Sequence, residues 1–203
     1  MKGWENIESR QPDVTRFLVN SHAKNRLVHA YIFEGILGVG KLAVAKNVAK
    51  MLLCDGEEPI CGVCRHCQLV KSEGHVNVHM IRPDGLSIKK EQIQQLQVEF
   101  SKRAAEDLPK IYIIEESDKM SVSAANSLLK FLEEPMPNTY AILLTDNKQK
   151  LLPTIRSRSV ILSFKSLSPK ELIANFEAAG IKAHAPIVAT LTQNLNEALE
   201  LAQ

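Results

Sequence analysis

The chain has 203 residues, of which 45% are hydrophobic and 5% aromatic, a length that suits one globular domain with a small second one. Its 25 basic and 23 acidic residues give a net charge of +2, a balance that excludes no partner class, because a local basic face can persist in a near-neutral chain. The first residues lack the apolar core of a signal peptide, and no apolar run approaches the roughly 20 residues of a membrane span, so we expect a cytoplasmic protein without a membrane partner.

Apolar runs of strand length alternate with amphipathic helix patterns, which predicts an α/β fold with a mostly parallel sheet. The predicted strands are AYIFEG at 30–35, NVHMI at 77–81, KIYIIEES at 110–117, YAILLTDN at 140–147 and SVILSF at 159–164. The predicted helices cover 42–54, then 87–106 with Ser87 as the N-cap, then 121–134 before Pro135. From 166 onward the pattern is helical only, and Ser168 with Pro169 suits a helix start. We therefore predict a sandwich domain at 1–165 and a small helical domain at 166–203.

The stretch GILGVGK at 35–41 matches G-x-x-x-x-G-K between a predicted strand and a predicted helix, the setting of a phosphate-binding loop. Gly35, Gly38 and Gly40 allow backbone N–H groups to face a phosphate, and Lys41 would reach the β- and γ-phosphates. The next position should carry a hydroxyl for Mg²⁺, and Leu42 has none. The sequence thus predicts a phosphate loop with a lost magnesium contact; the alternative is a glycine-rich turn that binds nothing.

A carboxylate pair ends the predicted strand at 110–117. Phosphoryl transfer needs one acid to hold Mg²⁺ and a second to activate water. Glu115 and Glu116 stand in these two places, where such enzymes use Asp-Glu, and the longer Glu115 would displace the metal. Together with Leu42, this predicts a degenerate nucleotide site without ATP chemistry. Two exposed carboxylates without a role remain the alternative.

All four cysteines fall in one segment with the spacing C-x6-C-x2-C-x2-C: Cys54, Cys61, Cys64 and Cys67. In a reducing compartment such a cluster indicates a metal site before disulfides. Four thiolates suit structural tetrahedral Zn²⁺, with an iron–sulfur cluster as the alternative. His66 lies between two better ligands, so we expect it at the surface. A module this small should depend on its metal to fold.

Several stretches together resemble the bacterial clamp-loader AAA+ subunits of the DNA polymerase III holoenzyme. They are RLVHAYIFEGILGVGK, the cysteine module, RPDGLSIKKEQIQQLQ, NSLLKFLEEP and TIRSRS. The chain is more similar to the delta-prime branch than to the gamma/tau ATPase branch. The resemblance implies a three-layer AAA+ P-loop sandwich with a parallel sheet and an inserted zinc module at 54–67, followed by a helical lid domain. The family continues into a collar domain, so we expect this chain to be the N-terminal part of a longer protein.

Residue roles also follow from the resemblance. The family's arginine finger sits in a Ser-Arg-Cys motif, which TIRSRS carries with Ser159 in place of cysteine, so Arg158 would reach into the ATP site of a neighbouring gamma/tau subunit. Arg156 is the nearby alternative. The arginine that the family places in its lid is Asn196 here. Lys89 and Lys90 would suit contacts to primer-template DNA in the assembled complex, or a solvated helix face.

The resemblance implies a non-hydrolysing stator of the clamp loader, a subunit of a nucleotidyltransferase holoenzyme that works in DNA replication with the gamma/tau and delta subunits. The alternatives are an active ATPase of the gamma/tau type and a zinc-dependent DNA-binding regulator. Leu42, Glu115 and Asn196 favour the stator over the ATPase. The regulator would need a recognition helix, for which the sequence has no signal.

Overall fold

The helices and strands alternate along the chain as the sequence predicts. The computed structural model describes residues 3–101, 108–178, 180–181, 184–192, 198–199 and 201. Within these ranges the helices are α1 Glu5–Glu8, α2 Pro12–Ala23, α3 Lys41–Leu53, α4 Arg65–Lys71, α5 Lys90–Ser101, α6 Val122–Glu133, α7 Pro153–Arg156, α8 Pro169–Ala178 and α9 Ala185–Leu191. The strands are β1 Ala30–Glu34, β2 Val78–Ile81, β3 Lys110–Ile114, β4 Thr139–Thr145 and β5 Val160–Ser163.

The five strands of the described residues form one parallel sheet in the order β2-β3-β4-β1-β5. Both faces are covered, as all-parallel sheets require. Along β1, Tyr31 and Phe33 enter a core cluster with α3, while Ile32 enters a second cluster on the opposite face with α6. This alternation between two cores confirms the predicted α/β sandwich, with helices on both sides of a central sheet.

The helix predicted from Ser87 begins three residues later, at Lys90. Ser87 pairs instead with Asp84 in an antiparallel bridge, and Ile88 pairs with Met120 in a parallel one. The N-cap assignment of Ser87 is therefore wrong, because these bridges hold its backbone extended. Residues 102–106 of the predicted helix lie outside the described residues.

Two other helices, α6 and α8, begin directly after a serine that caps them. The Ser121 side chain accepts a hydrogen bond from the Ala124 N–H at the start of α6. Ser168 accepts from the Glu171 N–H, while its own N–H donates to the Glu171 carboxylate at 2.8 Å, so the two residues form a capping box before α8. Helices α8 and α9 share a separate small apolar cluster that includes Leu172, Phe176 and Val188.

Candidate functional site: a phosphate-loop cleft and a four-cysteine module

A cleft of about 540 Å³ opens at the carboxyl edge of the sheet. The carboxyl ends of parallel strands meet at one edge, so the segments that follow β1, β3 and β4 come together there. The structure accordingly brings the predicted residues Gly38, Gly40, Lys41, Glu115 and Glu116 into one lining, to which it adds Leu37, Leu42, Ala43, Lys46, Leu144 and Asp146. Gly40 has a φ of 95°, a left-handed conformation that turns the chain into α3 and that a side chain would strain.

Gly35 is required for a different reason, which is close packing beneath the loop. A Cβ atom at this position would stand 2.9 Å from the Phe164 Cβ and 3.1 Å from the Val39 Cγ2. The loop therefore lies directly against the segment that follows β5. This packing limits how far the loop can stand from the carboxyl edge of the sheet.

Lys41 lines the cleft, and its ammonium is hydrogen-bonded within the chain. Its side chain is only 10% exposed. The ammonium donates to the carbonyl oxygens of Gly35 and of Ile36, the latter at 3.1 Å, and to Asp146 Oδ1 at 2.5 Å. The charge that would meet a nucleotide's phosphates is thus already neutralised by the chain's own oxygens.

Glu115 is also engaged within the chain. Its Oε1 accepts from the Arg82 Nε at 2.7 Å. The two terminal nitrogens of Arg82 donate to both carboxylate oxygens of Glu73, each at 2.9 Å, and Lys46 Nζ donates to Glu73 at 2.7 Å. The hydrogen bonds from Arg82 first, and then from Lys46, lower the pKa of Glu73 to about 2. Arg82 therefore stands as a fixed cation beside the carboxylate that would hold Mg²⁺.

Glu116 does not supply a free carboxylate to activate water, and Leu42 does not supply the hydroxyl that would bind Mg²⁺. Glu116 has left-handed backbone angles, and its carboxylate forms an ion pair with Lys119 on the following turn. Leu42 is half-buried and packs against the core cluster that contains α3. The Thr145 hydroxyl at the end of β4 donates to Asp118 at 2.9 Å. Among the described residues the cleft thus keeps the carboxylates of Glu115 and Glu116, each engaged by a basic side chain of the same chain, and has no hydroxyl at position 42.

The four predicted thiols converge at the end of α3. Their sulfur atoms all lie within 4.8 Å of one another, and the Sγ atoms of Cys54 and Cys64 are 3.9 Å apart. Tetrahedral zinc with Zn–S bonds of about 2.3 Å places its sulfurs about 3.8 Å apart. The donor set therefore fits a single four-coordinate metal ion with no open position.

Backbone N–H groups point at the sulfurs, as a metal-bound thiolate needs. Cys61 N–H donates to the Cys54 sulfur at 3.4 Å and Cys64 N–H to the Cys61 sulfur at 3.2 Å. The N–H of Cys64, then that of Val63, lowers the pKa of the Cys61 thiol to about 7. Burial raises the pKa of the Cys67 thiol to about 12, so metal binding there would have to displace a proton.

The module is fastened to the body of the protein. Ile60, between the first two cysteines, is buried in the same core cluster as Trp4 and Cys67. His66 is half-buried, not at the surface as expected, because its Nδ1 lies 2.9 Å from Nε2 of the buried His75. That contact ties the start of α4 to the segment before β2.

Arg158 lies at the amino edge of the sheet, opposite the carboxyl edge where the cleft opens. It precedes β5, so it stands at the amino end of that strand, whereas the phosphate loop follows the carboxyl end of β1. Its guanidinium forms an ion pair with Glu133 at 2.9 Å and donates to the Thr154 carbonyl at 3.0 Å, with 36% of the side chain exposed. The nearby alternative, Arg156, donates to Gln149 and has a buried Nε. Arg158 is the arginine of this pair that is directed outward.

Three further sequence predictions have different outcomes. Lys89 forms an ion pair with Asp84 at 2.5 Å, so its charge is partly compensated, whereas Lys90 is exposed at the start of α5. Asn196 lies outside the described residues.

The helices that the structure describes include none with the length and apolar character needed to cross a bilayer.

Sequence reasoning missed Arg82, Glu73 and Asp146. These residues come from three separate segments, so only the fold brings them together. Asp146 lines the cleft, whereas Glu73 and Arg82 line a separate pocket and contact the cleft residues Lys46 and Glu115. Asp146 lies at the carboxyl end of the predicted strand YAILLTDN, and this position is the signal that could have found it.

The comparisons with known proteins agree on one group. A family profile described as "DNA polymerase III, delta subunit" matches residues 10–168. The delta' subunit of DNA polymerase III from Bacillus subtilis (strain 168) is 47% identical over 203 residues, which cover 98% of this chain and 61% of that protein. The tau subunit of Escherichia coli (strain K12) is 34% identical over 165 residues, which cover 80% of this chain and 25% of that protein. The chain thus spans less than two thirds of the length of these curated relatives.

A solved structure shares the fold. The crystal structure of a DNA polymerase III gamma subunit-related protein from Thermotoga maritima superimposes with a TM-score of 0.60 at 19% sequence identity, covering 91% of this chain and 57% of that one. At this identity the likeness concerns the fold alone.

Proposed function

The chain belongs to the family described as "DNA polymerase III, delta subunit", and within it we propose the role of a delta-prime subunit of the clamp loader, a stator that hydrolyses no ATP itself. In this role the chain supplies Arg158 to the ATP site of a neighbouring gamma/tau subunit. Residues 1–165 form the AAA+ core of this subunit and 166–203 its helical lid. Its further partners are the delta subunit and, through the assembled complex, primer-template DNA in the cytoplasm.

The observation that carries the proposal is the placement of Arg158 relative to the chain's own cleft. The two sheet edges are separated by the length of β5, which is about 13 Å for four residues. Arg158 therefore lies about one strand length from its own phosphate loop, a placement that supports a role at a site on another chain. Its partner Glu133 is 48% exposed, so the ion pair can open towards a neighbour.

The state of the cleft supports the non-hydrolysing half of the proposal. Lys41 and Glu115 are held by Asp146 and Arg82, and Leu42 offers no hydroxyl. These contacts disfavour the alternative of an active ATPase of the gamma/tau type, which needs all three positions free to meet Mg·ATP.

We propose zinc as the ion of the cysteine module, held by Cys54, Cys61, Cys64 and Cys67. With four thiolates and no open position, zinc supplies a crosslink and no catalysis. The thiolates fix the loop at 55–64 against α4, and Ile60 and Trp4 bury the module's inner face.

The test uses the assembled loader, with the gamma/tau and delta subunits of the same organism. Arg158→Ala should lower ATP hydrolysis at the neighbouring site by roughly 10³–10⁵-fold, the range for fingers that act on a transferring phosphoryl group. Arg16→Ala, at an exposed position on α2, is the matched control and should leave hydrolysis unchanged. Normal assembly with unaltered hydrolysis in Arg158→Ala would contradict the finger assignment.

A further inference from the structure

We propose that Glu73 couples the metal-binding module to the phosphate-loop cleft: the bound metal holds α4, and α4 places Glu73 where it keeps Arg82 on Glu115. The metal then does more than stabilise the fold, because its presence or absence determines how the charges of Arg82 and Glu115 are arranged at the cleft. This inference rests on the metal occupancy proposed above and is independent of the clamp-loader role.

The first step is the dependence of α4 on the metal. A helix of seven residues is too short to be stable by itself in water. It begins directly after Cys64, whose sulfur accepts a hydrogen bond from the Cys67 N–H in the first turn, and Cys67 is itself a ligand. Two of the four thiolates therefore hold the start of α4, and the buried Val70, the His66–His75 contact and the hydrogen bond from Gln68 to the Gly62 carbonyl anchor the rest of the helix.

The second step is the placement of Glu73 by the end of the same helix. The Ser72 N–H donates to the Gln68 carbonyl, and the Glu73 N–H to the Val70 carbonyl. Glu73 takes the left-handed conformation with a φ of 60°, and the Gly74 N–H then closes the turn onto Leu69. The direction of the Glu73 side chain is thus fixed by the last turn of α4.

The third step is what Glu73 holds. Its carboxylate accepts both terminal nitrogens of Arg82, a two-bond geometry that fixes the guanidinium plane, and it accepts Lys46 from α3. Arg82 then turns its Nε to Glu115 at 2.7 Å. Without Glu73, Arg82 would keep one hydrogen bond in place of three, and both Lys46 and Arg82 would become mobile cations beside the cleft.

A coupling of this kind is reciprocal. If the bound metal favours the observed placement of Arg82 by some factor, that placement raises the affinity for the metal by the same factor. This gives two independent measurements. The first follows the exposure of Arg82, and the second follows the affinity for zinc.

The first experiment measures the rate at which phenylglyoxal, an arginine-specific reagent, modifies Arg82 in the 203-residue chain, with Arg16 on α2 as the internal reference. In the zinc-loaded protein Arg82 should react slowly relative to Arg16. Removal of the metal should raise the Arg82 rate about fivefold or more, the lower bound of a typical coupling between sites, while the Arg16 rate stays constant.

Glu73→Gln keeps the experiment decisive where metal removal unfolds the whole chain, because this variant can be measured fully loaded with zinc. Its Arg82 should react as fast as in the metal-free protein. An Arg82 rate that stays low in zinc-loaded Glu73→Gln, or that is the same with and without metal in the parent, would overturn the coupling.

The second experiment titrates zinc against a chromophoric chelator. Arg82→Gln should weaken zinc binding by about the same factor that metal removal adds to the Arg82 rate, whereas Arg16→Gln should not change it. Equal zinc affinity in the parent and in Arg82→Gln would overturn the proposal. A parent chain that binds no stoichiometric zinc would overturn the metal assignment as well, without bearing on the role of Arg158.

Discussion

Lys41 Nζ lies 2.5 Å from Asp146 Oδ1, so the lysine of the phosphate loop is neutralised by a carboxylate of the same chain. The consequence is that restoring the lost hydroxyl alone cannot restore the site. We predict that Leu42→Thr still fails to bind Mg·ATP at micromolar concentration, because Lys41 and Glu115 remain engaged by Asp146 and Arg82. Fluorescence titration with a labelled ATP analogue checks this, and saturable micromolar binding by the single variant would show that Leu42 was the only obstacle.

The cysteine module should lose its structure first when its metal is removed. Three of its N–H groups, those of Cys61, Cys64 and Cys67, donate to sulfur atoms that the proposed metal would hold in place. We expect these amides to exchange with solvent much faster after chelation, while the amides of the central strand β4 keep their protection. Hydrogen exchange followed by mass spectrometry measures both regions, and uniform loss of protection throughout the chain would argue against a locally stabilising metal.

The geometry of the module predicts a specific intolerance at Gly56. A Cβ atom at this position would stand 2.8 Å from the Cys61 Cβ and 3.1 Å from its sulfur. Gly56→Ala should therefore displace a ligand and weaken zinc binding by about tenfold or more, since overpacking of this kind costs ~1–3 kcal/mol.

Gly74→Ala is the matched control, because a Cβ atom there meets its nearest neighbours at 3.6 Å and 3.8 Å, which are ordinary contact distances. Chelator competition measures both variants. Equal zinc affinities for Gly56→Ala and Gly74→Ala would mean that the cysteines adopt another arrangement.

A pH dependence follows from Glu34, the last residue of β1. Burial raises the pKa of its carboxyl, but hydrogen bonds from the Lys148 ammonium and the Ser163 hydroxyl outweigh that effect and leave the pKa below its ordinary value of 4.5. A depressed pKa means that the contribution to stability is present above about pH 4.5 and is lost as the pH falls through the folded-state value.

Lys148→Met removes the main partner and should raise the Glu34 pKa. Carboxyl NMR titration checks this, with the variant compared to the parent. A Glu34 pKa at or above its ordinary value in the parent would contradict the ion pair.

The sequence predicts the strands well because each is a short apolar run beside a loop signal, and all five lie within three residues of their predicted bounds. The predicted start of α5 is wrong because Ser87 fits a helix cap locally but pairs with Asp84 in a tight turn, and the neighbouring Ile88 pairs with Met120 of a distant segment. The four cysteines are predictable from spacing alone. The contacts of Arg82 are not, because Glu73, Arg82 and Glu115 meet only after β2 and β3 pair in the sheet.

The measurement that most directly tests the central claim, that this chain leaves its own cleft without nucleotide, is calorimetric titration of the purified, zinc-loaded chain with Mg·ATP. The account predicts no saturable heat up to millimolar nucleotide, because the charges of Lys41 and Glu115 are already satisfied within the chain. Saturable binding at micromolar concentration would contradict it, and would mean that Lys41 leaves Asp146 for phosphate and that the cleft still works as a nucleotide site.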